Sequence, residues 1–328
     1  MKRPILAAVA TLAAIAAVPA TASAASIALS TPGGKPMITY TGAPGEVNAL
    51  EMHGTANGGF DLRMPFNEFS APLTPGAGCS GLGPTLCGVA DQAFPVSVSL
   101  GDRDDVASTN SFTQSLTMDA GPGDDDVLAG GLDATADGGS GSDTILLAAN
   151  NLVTGNGGTG RDRIYGGLGA AAAILSGGNG ADLLVPDGFQ FGKAEGGSGA
   201  DRLVGFGGDR VTLSGDSGAD VVAAAGGRKL ALDGGSGRDT IFSHLGGATV
   251  DGGSGNDLID VRGPSDDPAD TVSCGTGFDV AYVNAADTVA DDCEVVLRHG
   301  TPPTLARVTA AIDAATALRA HRPDPSAL

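Results

Sequence analysis

Residues 234–259 read GGSGRDTIFSHLGGATVDGGSGNDLI, two copies of one eight-residue phrase separated by a plain Gly-Gly turn. The phrase, GGxGxDxU with U aliphatic, recurs as GGSGSDTI from 138, GGTGRDRI from 157, GGNGADLL from 177, GGSGADRL from 196 and GDSGADVV from 215. Weaker copies flank these: LGDRDDV from 100, GPGDDDV from 121 and CGTGFDVA from 274. Aligned on the aspartate, they form the series Asp104, Asp125, Asp143, Asp162, Asp182, Asp201, Asp220, Asp239, Asp257 and Asp279, with steps of 18 to 22 residues. An aliphatic follows two residues later in nearly every copy, from Val106 and Val127 through Ile145, Ile164, Leu184 and Leu203 to Val222, Ile241 and Ile259. Self-similarity at a short fixed period is the signature of a solenoid, whose units bury a core only by stacking on one another.

The other half of each period carries a second, simpler turn: Gly166-Gly167, Gly207-Gly208, Gly226-Gly227 and Gly246-Gly247. Alternating segments follow it, such as Val211-Thr212-Leu213, Leu230-Ala231-Leu232 and Ala248-Thr249-Val250, whose inward residues have the period of two expected of strands. Each coil is therefore read as strand, bare turn, strand, Gly-Asp turn, with every Gly-Asp turn on one edge of the stack. Composition agrees. Aromatics are 4%, Trp is absent and Gly is 54 of 328 residues, too little for an ordinary core but suited to a repeat of tight turns. Glycine does not recur every third residue, which excludes collagen.

The phrase resembles the nonapeptide GGxGxDxUx of haemolysin-type, or RTX, calcium-binding repeats, and the resemblance covers roughly residues 100 to 280. In that family GGxGxD is a turn, xUx a short strand, and two nonapeptides close a coil. This chain departs from the pattern by carrying the phrase once per coil, which implies one row of Ca²⁺ rather than two. The fold implied is all-β, a parallel β-roll (β-solenoid) with one calcium-loop row, a small N-terminal β cap and a short C-terminal helix.

The chemistry of the residues points the same way. Ca²⁺ takes six to eight oxygen ligands from carboxylates and carbonyls, and glycines let a turn aim several carbonyls at one point. The expected ligands are Asp104, Asp125, Asp143, Asp162, Asp182, Asp201, Asp220, Asp239 and Asp257. With them go the turn residues Gly139, Gly141, Gly158, Gly160, Gly178, Gly180, Gly197, Gly199, Gly218, Gly235, Gly237, Gly253 and Gly255. Carboxylates stacked about 4.8 Å apart repel by about 0.9 kcal/mol in water and about 3.5 kcal/mol at an effective dielectric of 20, so the row needs a counter-ion. The residue before each phrase (Asp137, Asn156, Ser176, Glu195, Ser214, Asp233 or Asp251) is either a further ligand or an outward polar strand end.

Net charge is −20, and residues 101 to 300 hold 31 Asp+Glu against 11 Lys+Arg, so the repeat stretch accounts for all of it. Such a chain is read as a partner of calcium ions and not of nucleic acid. Met1-Lys2-Arg3, the 14 residues from Ile5 to Val18 and Ala22-Ser23-Ala24 read as a cleaved signal peptide. That apolar run is shorter than the roughly 20 residues that span a bilayer, so secretion without membrane insertion is expected. In an exported chain Cys79 with Cys87 and Cys274 with Cys293 read as disulfides; a zinc site is the alternative, with poor spacing and no nearby His.

The organisation expected is a signal peptide over 1–24, a small β domain or cap over 25–100, and the roll over 101–280. A disulfide-closed cap over 281–300 and a tail helix within 301–328 complete it, the helix docking on the last coil. GDSG from 215 and the GxGxxG at Gly155 lie inside the repeat frame, and no HExxH or GxSxG occurs. The function expected is therefore that of a secreted, non-catalytic calcium-binding protein, structural or adhesive, with a protein or cell-surface partner possible. The alternative is an extracellular enzyme, for example a polysaccharide-acting one, that uses the roll as scaffold.

Overall fold

The computed structural model describes residues 25–30, 37–54, 60–63, 74–76, 79–80, 85–87, 95–110, 115–167, 169–188, 190–264, 268–298 and 305–321. The expected signal peptide lies outside them. The described chain is almost all β, a parallel solenoid of two facing sheets, one of 18 and one of 15 strands. Successive coils stack in register: Leu152–Gly160 pairs in parallel with Ala172–Gly180, and Arg163–Gly166 with Leu183–Pro186. The first sheet leads into the Gly-Asp loops, the second leaves them, and a bare turn closes each coil. Gly208 in one such turn has φ of 109°, a conformation open to glycine and costly for other residues.

Alternation fixes which side chains fill the space between the sheets. In Ala172–Gly180, Ala173 and Leu175 point inward and are buried, while Ile174 between them is exposed. The aliphatic two residues beyond each loop aspartate forms the facing column, running Ile145, Ile164, Leu184, Leu203, Val222, Ile241 and Ile259 in register, all buried. Full burial of such a side chain stabilises by about 1.5–3 kcal/mol. The column therefore supplies the apolar cohesion that a chain poor in aromatics otherwise lacks.

The solenoid starts earlier than the repeats do. Met37–Thr41 pairs in parallel with Val96–Ser99, and Ala49–Gly54 with Val106–Asn110, so residues 37–54 already make one coil. Outside that coil the pairing turns antiparallel, with Ser26–Ser30 against Met37–Thr41 and Phe60–Arg63 against Ala49–Gly54. Strands of changed direction cover the open end of a stack that would otherwise offer its edge to another chain. At the far end Thr288–Val289 and Val295–Leu297 complete the last pairings. The Cys274–Cys293 disulfide closes this end, with Cα atoms 5.1 Å apart. Cys79 is disulfide-bonded too, and the backbone register sets it directly across from Cys87.

The helix α1, Leu305–Ala320, corrects one expectation. It does not dock on the last coil but lies along the outer face of the second sheet, with Val308, Ala311, Ala315 and Leu318 on Leu146, Tyr165, Val185, Val204, Val221 and Phe242. Sixteen residues rise about 24 Å, matching five steps of about 4.8 Å between stacked strands. At its end His321 Nε2 lies 2.9 Å from both oxygens of Asp126. The physical reason is in the strands beneath. Leu183–Pro186 and Val221–Ala224 are buried on both faces, so a cover is required. Among the described residues no helix is long and apolar enough to cross a membrane.

Two substitutions test the register. Ile164→Ala, in the inward column, is expected to cost about 2–5 kcal/mol in urea unfolding. Ile174→Ala, at a position 36% exposed, should stay within about 0.5 kcal/mol. Equal costs would place the strands one residue out of register.

Candidate metal centre

In each GGxGxD loop the second and fourth positions need left-handed backbone. Gly139, Gly141, Gly158, Gly160, Gly178, Gly180, Gly197, Gly199, Gly218, Gly235, Gly237, Gly253 and Gly255 all have φ between 89° and 151°. Stacking adds a second constraint, because a Cβ on Gly180 would run into the carbonyl oxygen of Gly160 one coil earlier. Among the described residues two other than glycine take this conformation. They are Arg103 (φ 83°) in the first phrase and Asp216 (φ 65°) in GDSG.

The loop aspartates form a continuous buried row. Oδ1 of each accepts the backbone N–H of the row aspartate one coil before it, as from Asp182 N to Asp201 Oδ1 (2.8 Å) and from Asp201 N to Asp220 Oδ1 (2.7 Å). Asp125, Asp143, Asp162, Asp182, Asp220, Asp239, Asp257 and Asp279 hold equivalent places. Oδ2 of Asp105, Asp125, Asp143, Asp162, Asp182, Asp201, Asp220, Asp257 and Asp279 is buried with no hydrogen-bond partner.

At the first loop the row runs through Asp105, not Asp104. Asp104 is exposed and accepts the backbone N–H of Asp124, whereas Asp105 is buried and accepts that of Asn48. The inward aliphatic here is Ala107, paired with Val127, and a one-residue shift turns every side chain to the other face. Two row members have no repeat phrase to mark them. Asn48 stands before Asp105, and Glu294 Oε2 accepts the backbone N–H of Asp279 at the other end. Asp137, Asn156, Ser176, Glu195, Ser214, Asp233 and Asp251 lie in register on the outer face of the first sheet, away from the buried oxygens.

What Oδ2 faces is shown at the first glycine of the phrase. A Cβ on Gly196 would sit 2.6 Å from Asp201 Oδ2 and 2.7 Å from the carbonyl oxygen of Gly215 in the next coil. At Gly215 the corresponding distances are 2.6 Å to Asp220 Oδ2 and 2.5 Å to Gly234 O. Two acceptors thus meet in one closed cup against the glycine Cα, where no side chain fits. In the coil at 37–54, where Gly42 holds the same position, Asn48 supplies a donor instead. Its Nδ2 gives a hydrogen bond to Leu100 O at 2.7 Å. An aspartate has no such donor, so its cup calls for a proton or a cation.

Burial is the main reason these carboxyls resist ionisation. It raises Asp143 and Asp201 to about 6, Asp105, Asp162, Asp220 and Asp257 to about 7, and Asp125 to about 8. The bond from the backbone N–H opposes the shift, and neighbouring carboxylates add to it. The donor set is all oxygen, carboxylate plus carbonyl, which suits a hard cation such as Ca²⁺ and not zinc. Cys274, Cys293 and Asp292 also cluster, but the two sulfurs are bonded to each other. Asp292 accepts the N–H groups of Cys274 and Gly275.

Comparisons with protein-family models, with curated proteins and with solved structures give no match for this chain.

A carboxyl whose folded pKa lies above its unfolded value takes up a proton on folding. Its contribution is complete below about pH 4 and is lost as pH rises through about 6 to 8. In chelator the melting temperature is therefore expected to fall between about pH 5 and about pH 8, and saturating Ca²⁺ should reverse that trend at the alkaline end. A melting temperature in EDTA that rises over this window would contradict a buried carboxyl row.

Proposed function

We propose that the chain is a secreted, non-catalytic calcium-binding protein of the RTX-like type, with one row of Ca²⁺ seated along the aspartate edge. The observation that carries this reading is the line of buried carboxyl oxygens without a hydrogen-bond partner, which at Asp143, Asp162, Asp182, Asp201, Asp220 and Asp257 lie beside a carbonyl oxygen of the next coil. The row carboxylates and the loop carbonyls would hold the ion, which supplies the positive charge the cup lacks. The chain's own residues do the rest. Glycines permit the close stacking, Oδ1 ties each coil to its predecessor, and the aliphatic column keeps water from the cups.

Because the cups exist only when coils are stacked, binding and folding are coupled. A role as a structural or adhesive element outside the cell follows from the leader-like N-terminus, the −20 charge and the rigid rod-like repeat. Millimolar extracellular Ca²⁺ would then act as the signal for folding.

Far-UV circular dichroism at about pH 8 tests the reading. Little β signal in EDTA and a cooperative gain at about 10⁻⁴ to 10⁻³ M Ca²⁺ are expected. Superimposable spectra with and without Ca²⁺ would sink the proposal. Asp201→Asn sharpens the test, because it keeps the Oδ1 acceptor and places a donor against Gly215 O, as Asn48 does against Leu100 O. In chelator it should stabilise by about 1–3 kcal/mol. In saturating Ca²⁺ it should bind one ion fewer, an outcome read by metal analysis.

A further inference from the structure

We infer that the tail helix α1 is a strap that fuses the coils it crosses into one cooperative block and leaves the coils at either end of the roll to open by themselves. The inference stands apart from the calcium reading. In a stack whose coils touch only their neighbours, opening can begin and stop at any coil. A rigid element packed on many coils at once removes that freedom, because no coil beneath it can leave without shedding part of the helix.

The outward side chains of the second sheet mark where the strap begins and ends. Leu146, Tyr165, Val185, Val204, Ala223 and Phe242 form one apolar strip with Val308, Ala311, Ala315 and Leu318 of the helix. The position paired with Phe242 in the next coil is Asp260, and the strip stops there. Asp260 accepts hydrogen bonds from Arg262 Nε at 2.9 Å and Nη2 at 3.2 Å, and the guanidinium lies 4.8 Å over the ring of Tyr282. At the other end Leu128, paired with Leu146, is half-buried against the same strip, and His321 meets Asp126 of that strand.

The strapped block therefore runs from Asp126–Gly131 to Thr240–Ser243, seven strands of the second sheet. Each follows directly on a row aspartate, from Asp125 to Asp239, so the strap couples seven successive positions of the row. Val106–Asn110 before the block and Val280–Tyr282 after it lie outside the strip. His321 and Asp126 are 195 residues apart in the chain, so the block locks only once the last part of the chain is in place.

Native-state hydrogen exchange read by mass spectrometry, on the whole chain in Ca²⁺ and rising urea, tests the strap. The seven strands are expected to share one opening free energy and one urea slope, while Val106–Asn110 and Val280–Tyr282 open sooner on shallower slopes. Unequal slopes within the block would overturn the inference, and this comparison needs no variant. Ala315→Glu sets a carboxylate against the apolar strip, whereas Ala317→Glu adds the same charge on the exposed side of the helix. The first should speed exchange under the helix by more than about tenfold, break the single slope into several and leave the two ends unchanged; the second should do none of these. A single slope that survives Ala315→Glu would assign the cooperativity to the coils alone and contradict the strap.

Discussion

Coil after coil of this solenoid, as at Asp182, Asp201 and Asp220, brings a carboxyl oxygen and a carbonyl oxygen to the same buried point without a donor for either. A hydrogen bond satisfies one aspartate oxygen and leaves the other facing an acceptor, in a place where water does not reach it. Leaving a buried charge uncompensated is among the most costly states a protein can adopt. Two remedies exist, a proton or a cation. Protons serve while the pH lies below the raised pKa values, and on the calcium reading an oxygen-seeking ion would take over at neutral pH and above.

Other features follow from that arrangement. Close approach of successive loops favours glycine at the second and fourth positions, Asp216 being the exception at the second, and the same closeness brings the carbonyl of one coil to the carboxylate of another. The aliphatic column and the helix α1 then matter as more than packing. They keep water from the space between the sheets and from the outer face of the second sheet, and charge interactions strengthen where water is excluded. The helix also crosses several coils that otherwise touch only their neighbours, and so lends a quasi-one-dimensional stack some cooperativity along its length.

Much of this was legible in the sequence because the phrase GGxGxDxU sets turn chemistry and strand period together. The fold, the edge on which the aspartates gather and the inward column from Ile145 to Ile259 all follow from it. Legibility failed where the phrase decays. In LGDRDDV two adjacent aspartates compete, and alignment on Val106 selects Asp104, whereas the inward Ala107 selects Asp105. Asn48 and Glu294 belong to the row by backbone pairing alone, 57 residues before Asp105 and 15 residues after Asp279, without a repeat to mark them. The site of the tail helix was hidden for a different reason. Runs such as Leu183-Leu184-Val185 are apolar on both faces, which announces a covered sheet without naming the cover.

The most direct measurement is an anomalous difference map from crystals grown in Ca²⁺ or Sr²⁺ at mildly alkaline pH. The account requires a line of peaks along the aspartate edge, one coil apart, each about 2.3–2.6 Å from an aspartate Oδ2 and from a loop carbonyl oxygen. A roll whose aspartate edge is well ordered and shows no peak along it would mean that protons alone hold the row, and would contradict calcium as its counter-ion.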